Sequence, residues 1–183
     1  KFHIKKNLSD GIKPHDVTDE YCVFGIFGPK SRMLMEELSK DDFTNVNFEF
    51  ANSKFILIDS VKIWAQRLSY VGELGYELYI NIKDAKKIYE KIIEKGKKFN
   101  LSNCGMHALD TMRMESGFLH WGHDISPEEN QYQAGLNFTI SYKKDFNFIG
   151  REALEKIKNK KVDRKFAMFV LKNNEPEIGR AHV

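Results

Sequence analysis

Apolar and polar positions change period several times along the chain, and each change marks an element. From Asp16 to Phe27 the apolar members Val17, Tyr21, Val23, Phe24, Ile26 and Phe27 are β-branched or aromatic, which suits a strand, and the run stops at Gly28-Pro29. Proline is at home in the first turn of a helix, where its missing N–H costs nothing. Residues 30–38 then carry Met33, Leu34, Glu37 and Leu38 at helical spacing until Ser39-Lys40-Asp41-Asp42 ends them. The Gly-Pro-Lys-Ser turn ahead of this helix is a position where a phosphate can bind, but it lacks the glycine pattern of a phosphate loop.

Residues 55–61 place Ile56, Leu57 and Ile58 between Lys54 and Asp59, and Ile63-Trp64-Ala65 follows after Ser60, which predicts two strands joined as a hairpin. Ser69 to Tyr79 breaks the alternation with Gly72 and Gly75, and Leu78-Tyr79-Ile80 resumes it, so this stretch is a bend leading into another strand. Asp84 to Phe99 sets Ala85, Ile88, Tyr89, Ile92 and Ile93 on one face and lysines elsewhere, an amphipathic helix with Asp84 as its N-cap. A second helix is predicted over Asn103 to Gly117 from Met106, Ala108, Leu109 and Met112, with Gly117 as its stop. Within it Asp110 and Arg113 stand three apart and can pair; if buried, Arg113 organises backbone or a site.

Beyond Gly117 the pattern predicts a loop from Phe118 to Ile125 and a short helix starting at Ser126-Pro-Glu-Glu. A strand over Gly135 to Tyr142, a lysine-rich helix from Phe148 to Leu154 and onward, and a final strand over Lys165 to Leu171 follow. Alternating strands and helices with no fixed internal repeat make an α+β protein of mixed or antiparallel sheets with packed amphipathic helices.

Composition narrows the function classes. The 183 residues are 42% hydrophobic with 14 Phe and 7 Tyr, enough for one ordinary core or two small ones. Twenty-nine basic and 26 acidic residues give a net charge of +3, too balanced for a nucleic-acid surface. Cys22 and Cys104 are the only cysteines, which excludes a disulfide framework and a thiolate zinc site and fits a reducing compartment. No apolar run approaches the ~20 residues of a membrane-spanning helix. The chain opens on Lys1 and a polar run, Lys5 to His15, and is expected to continue something longer; residues 177–183 are expected to be a non-native, adapter-derived tail.

Two stretches carry candidate chemistry. Ser69 to Tyr79 offers the carboxylates Glu73 and Glu77 and the flat rings Tyr70 and Tyr76, a set able to clamp a flat, hydrogen-bonding ligand, although a hairpin with two solvated glutamates has the same composition. His120, His123 and Asp124 are residue types that ligate zinc or iron, but three ligands in one loop are weak evidence and no metal is assigned. The other reading has Trp121 and the histidines packed under a loop that lines a pocket.

Five ordered motifs also carry a family resemblance: Asp16-Val-Thr with Gly28-Pro29, Tyr70-Val-Gly-Glu-Leu-Gly-Tyr-Glu77, Ala108-Leu-Asp-Thr-Met-Arg-Met-Glu115, His120-Trp-Gly-His-Asp124, and Phe148-Ile-Gly-Arg-Glu-Ala-Leu154. Over residues 14–172 the chain resembles the folate-binding aminomethyltransferase family of the glycine-cleavage T-protein, and looks closest to the C-terminal half of flavin-dependent dimethylglycine and sarcosine dehydrogenases. The resemblance implies a T-protein-like fold, present incompletely. Residues 1–160 would form an N-terminally truncated folate-binding domain, and residues 161–176 the start of a C-terminal barrel domain.

It further implies that Tyr70 and Glu77 bind tetrahydrofolate, with the Glu77 carboxylate accepting from the pterin amino and ring N–H groups and Tyr70 stacking on or bordering the pterin. Glu73 would be structural or at the rim, and Arg113 part of the scaffold. Where the glycine-cleavage protein has a folate-contacting arginine, this chain has Leu109, which places it nearer the dehydrogenase branch. The family's catalytic aspartate is expected upstream of Lys1, so none of Asp10, Asp16 or Asp19 takes that role, and FAD would sit in a preceding domain. The function implied is passage of a one-carbon unit from an oxidised N-methyl amine to tetrahydrofolate. A stand-alone aminomethyltransferase of glycine cleavage and a non-catalytic subunit of the same fold are the alternatives. Small-molecule folate and methylated amine are the expected partners, with no nucleic acid and no membrane, in a bacterial cytoplasm or a mitochondrial matrix.

Overall fold

Four antiparallel strands in the order β1-β4-β3-β2 frame the first part of the chain: β1 (Tyr21–Phe27), β2 (Ser53–Ile58), β3 (Val61–Gln66) and β4 (Gly75–Asn81). The computed structural model describes residues 2–170 and 172. The chain divides into two compact units, Lys1–Phe118 and Leu119–Val183.

In the first unit a short helix, α1 (Phe2–Lys6), precedes the sheet, and α2 (Ser31–Leu38) and α3 (Ala85–Gly96) pack with it. The predicted strand after Asp16 begins only at Tyr21, because Asp16 turns the chain first: its carboxylate accepts from the Thr18 N–H at 3.2 Å. The expected β2–β3 hairpin forms with a two-residue turn, Asp59 and Ser60, both at positive φ (46° and 68°), as a turn following the twist of its strands requires. Period two then sorts the side chains. Ile26 of β1, Ile56 and Ile58 of β2, Ile63 and Ala65 of β3, and Tyr76, Leu78 and Ile80 of β4 all face one side. Leu34, Met35 and Leu38 of α2 and Ile88 and Ile92 of α3 close over that side, with Phe43 and Phe48 from the α2–β2 connection. Each such apolar side chain contributes about 1.5–3 kcal/mol by leaving water, which makes this face the core.

Two sequence expectations need correction here. Asp84 does not cap α3. The chain enters α3 through a 3-10 turn, Ile82–Asp84, and Asn81 caps that turn by accepting from the Lys83 N–H at 3.2 Å. Asp84 stands before α3 in a helical conformation (φ −100°, ψ −7°), and its side chain makes no cap hydrogen bond. The second correction concerns α4 (Met106–Glu115), whose expected apolar stripe is not its buried face. Met106 is 73% exposed, whereas Arg113 is buried. Gly117 ends this helix as expected, at φ 73°, with the Phe118 N–H donating back to the Arg113 carbonyl at 2.9 Å.

The second unit contains one helix among its described residues, α5 (Arg151–Ile157), which starts after Gly150 at φ 92°. The strand expected over Gly135 to Tyr142 is instead a 3-10 turn, Asn137–Thr139, with Phe138 80% exposed. Residues 165–170 form no strand either. A single backbone bond joins Phe166 N–H to the Gln133 carbonyl at 2.9 Å, and Val170 stands in solvent. Alternation fixes a strand only where another strand completes the ladder, and the described residues of this unit offer none. The helix expected from Ser126 is a turn. Its capping pair does form, both Ser126 N–H and Oγ donating to Glu129 at 2.8 Å. The Asn130 side chain then accepts from Tyr132 and Gln133 N–H groups and diverts the chain. Leu171 and the tail 177–183 lie outside the described residues.

Candidate functional site

The segment from Arg67 to Tyr79 is a fastened loop that runs into the central strand β4. At its start the Arg67 N–H donates to the Asn52 carbonyl at 2.9 Å, and its own carbonyl accepts from Ala51 at 3.0 Å. At its end the Leu74 carbonyl accepts from both Gly28 N–H (2.8 Å) and Ser31 Oγ (3.1 Å), so the Gly28-Pro29 turn is a clamp for this loop. In the middle, buried Val71 anchors the loop and its carbonyl accepts from Ser116 Oγ at 3.2 Å. The backbone groups of this eight-residue excursion, 67–74, are thus tied at both ends and at the centre, which keeps its side chains in fixed positions.

Tyr70 projects from this loop and lies nearly parallel to Phe118, with ring centroids 6.0 Å apart and 12° between planes. Phe118 is held in turn by Arg113. The guanidinium of this buried arginine donates to Asp110 at 2.7 Å and to the Phe118 carbonyl at 3.1 Å, so it fixes the backbone just past α4.

Glu77 lies on the face of β4 opposite the core. Across the sheet it is paired with Gln66 of β3 on one side and Gly25 of β1 on the other. Its carboxylate accepts from the Tyr79 hydroxyl at 2.9 Å, and Tyr79 lies against Trp64, with centroids 4.8 Å apart. Burial, and then the adjacent Glu77 carboxylate, push the Tyr79 phenol above its ordinary pKa, so it remains a proton donor. The ring of Phe27 lies over Gly25 and Gly75, where a Cβ at either glycine would come within 2.5 Å of it. Both glycines therefore leave the space that this ring occupies, Gly25 being the residue paired with Glu77. Around Glu77 the outer face of the sheet carries the Gln66 amide and the rings of Tyr79, Trp64 and Phe27.

Of the residues singled out from the sequence, Tyr70 and Glu77 are both half-buried on this segment, and Glu73 is exposed on the loop. Tyr76 is not available to a ligand. It is wholly buried against Phe43 and Phe48, and its hydroxyl has no hydrogen-bond partner among the described residues. Strand parity decides this, since positions 76 and 77 must face opposite sides. Tyr79, Trp64 and Phe27 were not singled out, although counting by two from Glu77 would have found Tyr79.

In the second unit, Asp124 spends its carboxylate on its own loop, accepting from the His120 N–H at 2.8 Å. The His120 and His123 rings lie 4.6 Å apart, and Trp121 is 63% exposed rather than packed beneath the loop. Among the described residues no three His, Cys, Asp or Glu side chains converge as a metal site would need.

An antiparallel sheet with helices on one face and an acid-and-aromatic surface on the other makes this an α+β unit. The chain belongs to the family described as the GCVT N-terminal domain, which matches residues 2–144. This confirms the resemblance carried by the sequence motifs. Among its relatives, rat dimethylglycine dehydrogenase, a mitochondrial protein, is 33% identical over 164 residues, covering 90% of this chain and 19% of the relative. The 4-methylaminobutanoate oxidase (formaldehyde-forming) of Paenarthrobacter nicotinovorans is 37% identical over 161 residues, covering 88% and 20%. An aminomethyltransferase of Alkaliphilus metalliredigens is 29% identical over 173 residues, covering 94% and 47%. The crystal structure of glycine cleavage system aminomethyltransferase T from Bartonella henselae shares the fold, with a TM-score of 0.62 at 20% identity over 75% of this chain and 36% of that one. The chain thus spans about a fifth of the dehydrogenase and oxidase relatives.

Proposed function

We propose that this chain is the tetrahydrofolate-binding part of an oxidoreductase of the dimethylglycine and sarcosine dehydrogenase type. The observation that carries the reading is the placement of Glu77 on the open face of the central strand, bordered by the Phe27 and Tyr79 rings. A pterin edge presents adjacent N–H donors, and an ionised carboxylate is an acceptor with two oxygens, so the residues present fit this group. Glu77 accepts from the pterin edge, the flanking rings exclude water from that bond, and Tyr70, backed by Phe118, borders the ligand. In the whole enzyme, FAD in another part of the protein would oxidise the N-methyl amine, and tetrahydrofolate would accept the one-carbon unit released. The catalytic acid of that transfer lies outside this chain, and residues 1–160 belong to the folate-binding domain, with residues 161–176 opening the barrel domain.

The supporting experiment is Glu77→Ala in the full-length protein. Tetrahydrofolate affinity falls roughly ten-fold or more, the loss expected when a charge-assisted bond is removed. Flavin reduction by the methylated amine stays near normal, because the two reactions occupy separate sites. Unchanged tetrahydrofolate affinity would sink the assignment. The aminomethyltransferase relative supports a second reading, an enzyme of glycine cleavage without a flavin domain. Absence of bound flavin in the full-length protein, with retained folate binding, selects that reading.

A further inference from the structure

The geometry points to Tyr79 as the positioning residue for the Glu77 carboxylate: its hydroxyl holds Oε2 from one side and aims the carboxylate at the ligand. This rests on the folate reading of the same site and deepens it, since it states what aims the carboxylate that meets the ligand. Tyr79 and Glu77 lie two apart on β4 and so share its outer face, and the phenol donates to Oε2 of Glu77 at 2.9 Å. A glutamate has three rotatable bonds, and without a second partner its head group samples several directions. One hydrogen bond to a rigid phenol removes most of that freedom before the ligand arrives.

Tyr79 is itself braced. Trp64 is its directly paired neighbour on β3, and the two rings meet with centroids 4.8 Å apart at 38°. Its phenol is held above the ordinary tyrosine range by burial and by the Glu77 charge, so it stays protonated and donating through neutral pH. On the other side of Glu77, Gly25 contributes no side chain that would compete for the second oxygen. The ligand therefore meets a carboxylate already aimed by Tyr79, with Oε1 and the remaining lone pair of Oε2 still able to accept.

The test is a double-mutant cycle in the full-length protein, with tetrahydrofolate as the probe under anaerobic conditions. Tyr79→Phe keeps the ring on Trp64 and removes only the hydroxyl. It weakens binding roughly ten-fold in the otherwise unchanged protein, and has no further effect once Glu77 is replaced by alanine, because there is nothing left to position. A purely structural tyrosine would weaken binding equally in both backgrounds, and that result overturns the inference. So does unchanged affinity in Tyr79→Phe when Glu77→Ala still binds poorly; this outcome leaves the folate reading standing. Failure of tetrahydrofolate to bind the unmutated protein overturns both. A ligand-free measurement separates the contact from its use: in Glu77→Gln the Tyr79 ring, followed by NMR, titrates at lower pH than in the parent. An unmoved titration shows that the pair is not engaged and also overturns the inference.

Discussion

Gly72 and Ser116 meet so closely that a Cβ on the glycine would lie 2.0 Å from the serine Oγ, the same oxygen that donates to the Val71 carbonyl. Gly72 also holds φ at 75°, where an L side chain is strained. Gly72→Ala therefore costs about 1–3 kcal/mol of stability and loosens the loop that carries Tyr70. Urea denaturation measures the first, and tetrahydrofolate affinity the second. Adding Ser116→Ala relieves the nearest clash but not the φ strain, so it restores only part of the loss; full restoration would show that backbone strain plays no part.

Tyr76 carries a buried hydroxyl that has no hydrogen-bond partner among the described residues, inside a ring cluster with Phe43 and Phe48. Its desolvation is uncompensated, so Tyr76→Phe is expected to stabilise the fold by about 1 kcal/mol, with folate affinity unchanged. A rise in Tm checks the first part. A fall in affinity would return Tyr76 to the site, against its position in the core.

Arg113 is almost wholly buried, and its guanidinium joins Asp110 to the Phe118 carbonyl. Arg113→Leu costs about 2–3 kcal/mol, less than for a fully buried pair, because Asp110 is 48% exposed and can hydrate. Arg113→Lys rescues little, since an ammonium cannot reproduce the fork. Phe118 loses its brace in both variants, and a weakened Tyr70–Phe118 contact is checked by NMR contacts between the two rings.

Asp42 turns the chain after α2: its carboxylate accepts from the Thr44 N–H at 2.7 Å and from Asn47 at 2.6 Å. Hydrogen bonds from Thr44 and Asn47 hold its pKa down, to about 2 from an ordinary 3.8. A lowered folded-state value means that the ionised form stabilises the fold. That contribution is complete above the ordinary carboxylate range and is lost as the pH falls from about 3.8 through about 2. The stability difference between the parent and Asp42→Asn therefore shrinks over that window and is flat above it. Denaturation curves at a series of pH values test this, and a difference that persists at the acid end would refute it.

The strands of the first unit were legible because each has a partner that rewards its alternation. The Ile63-Trp64-Ala65 run and the Leu78-Tyr79-Ile80 run lie within β3 and β4 much as their patterns require. The same period-two signal over Gly135 to Tyr142 and over residues 165–170 produced no strand, since a ladder needs a second backbone and none is supplied there among the described residues. The site shows the same division. Tyr70 and Glu77 could be chosen from their motif, but composition offered Tyr76 as a flat face and passed over Tyr79. Parity on β4 separates them, and the register against β3 brings Trp64 onto Tyr79.

Residue order alone determined the α+β class, the family, and the fact that the Ser69 to Tyr79 stretch is a bend entering a strand, because each follows from local period, turn chemistry and ordered motifs. Which face of β4 meets the core, which tyrosine donates to Glu77, and which serine pins the loop were decided only by the tertiary structure. Those relationships join residues from strands and helices far apart in the chain, and only the packed sheet brings them within a hydrogen bond of each other.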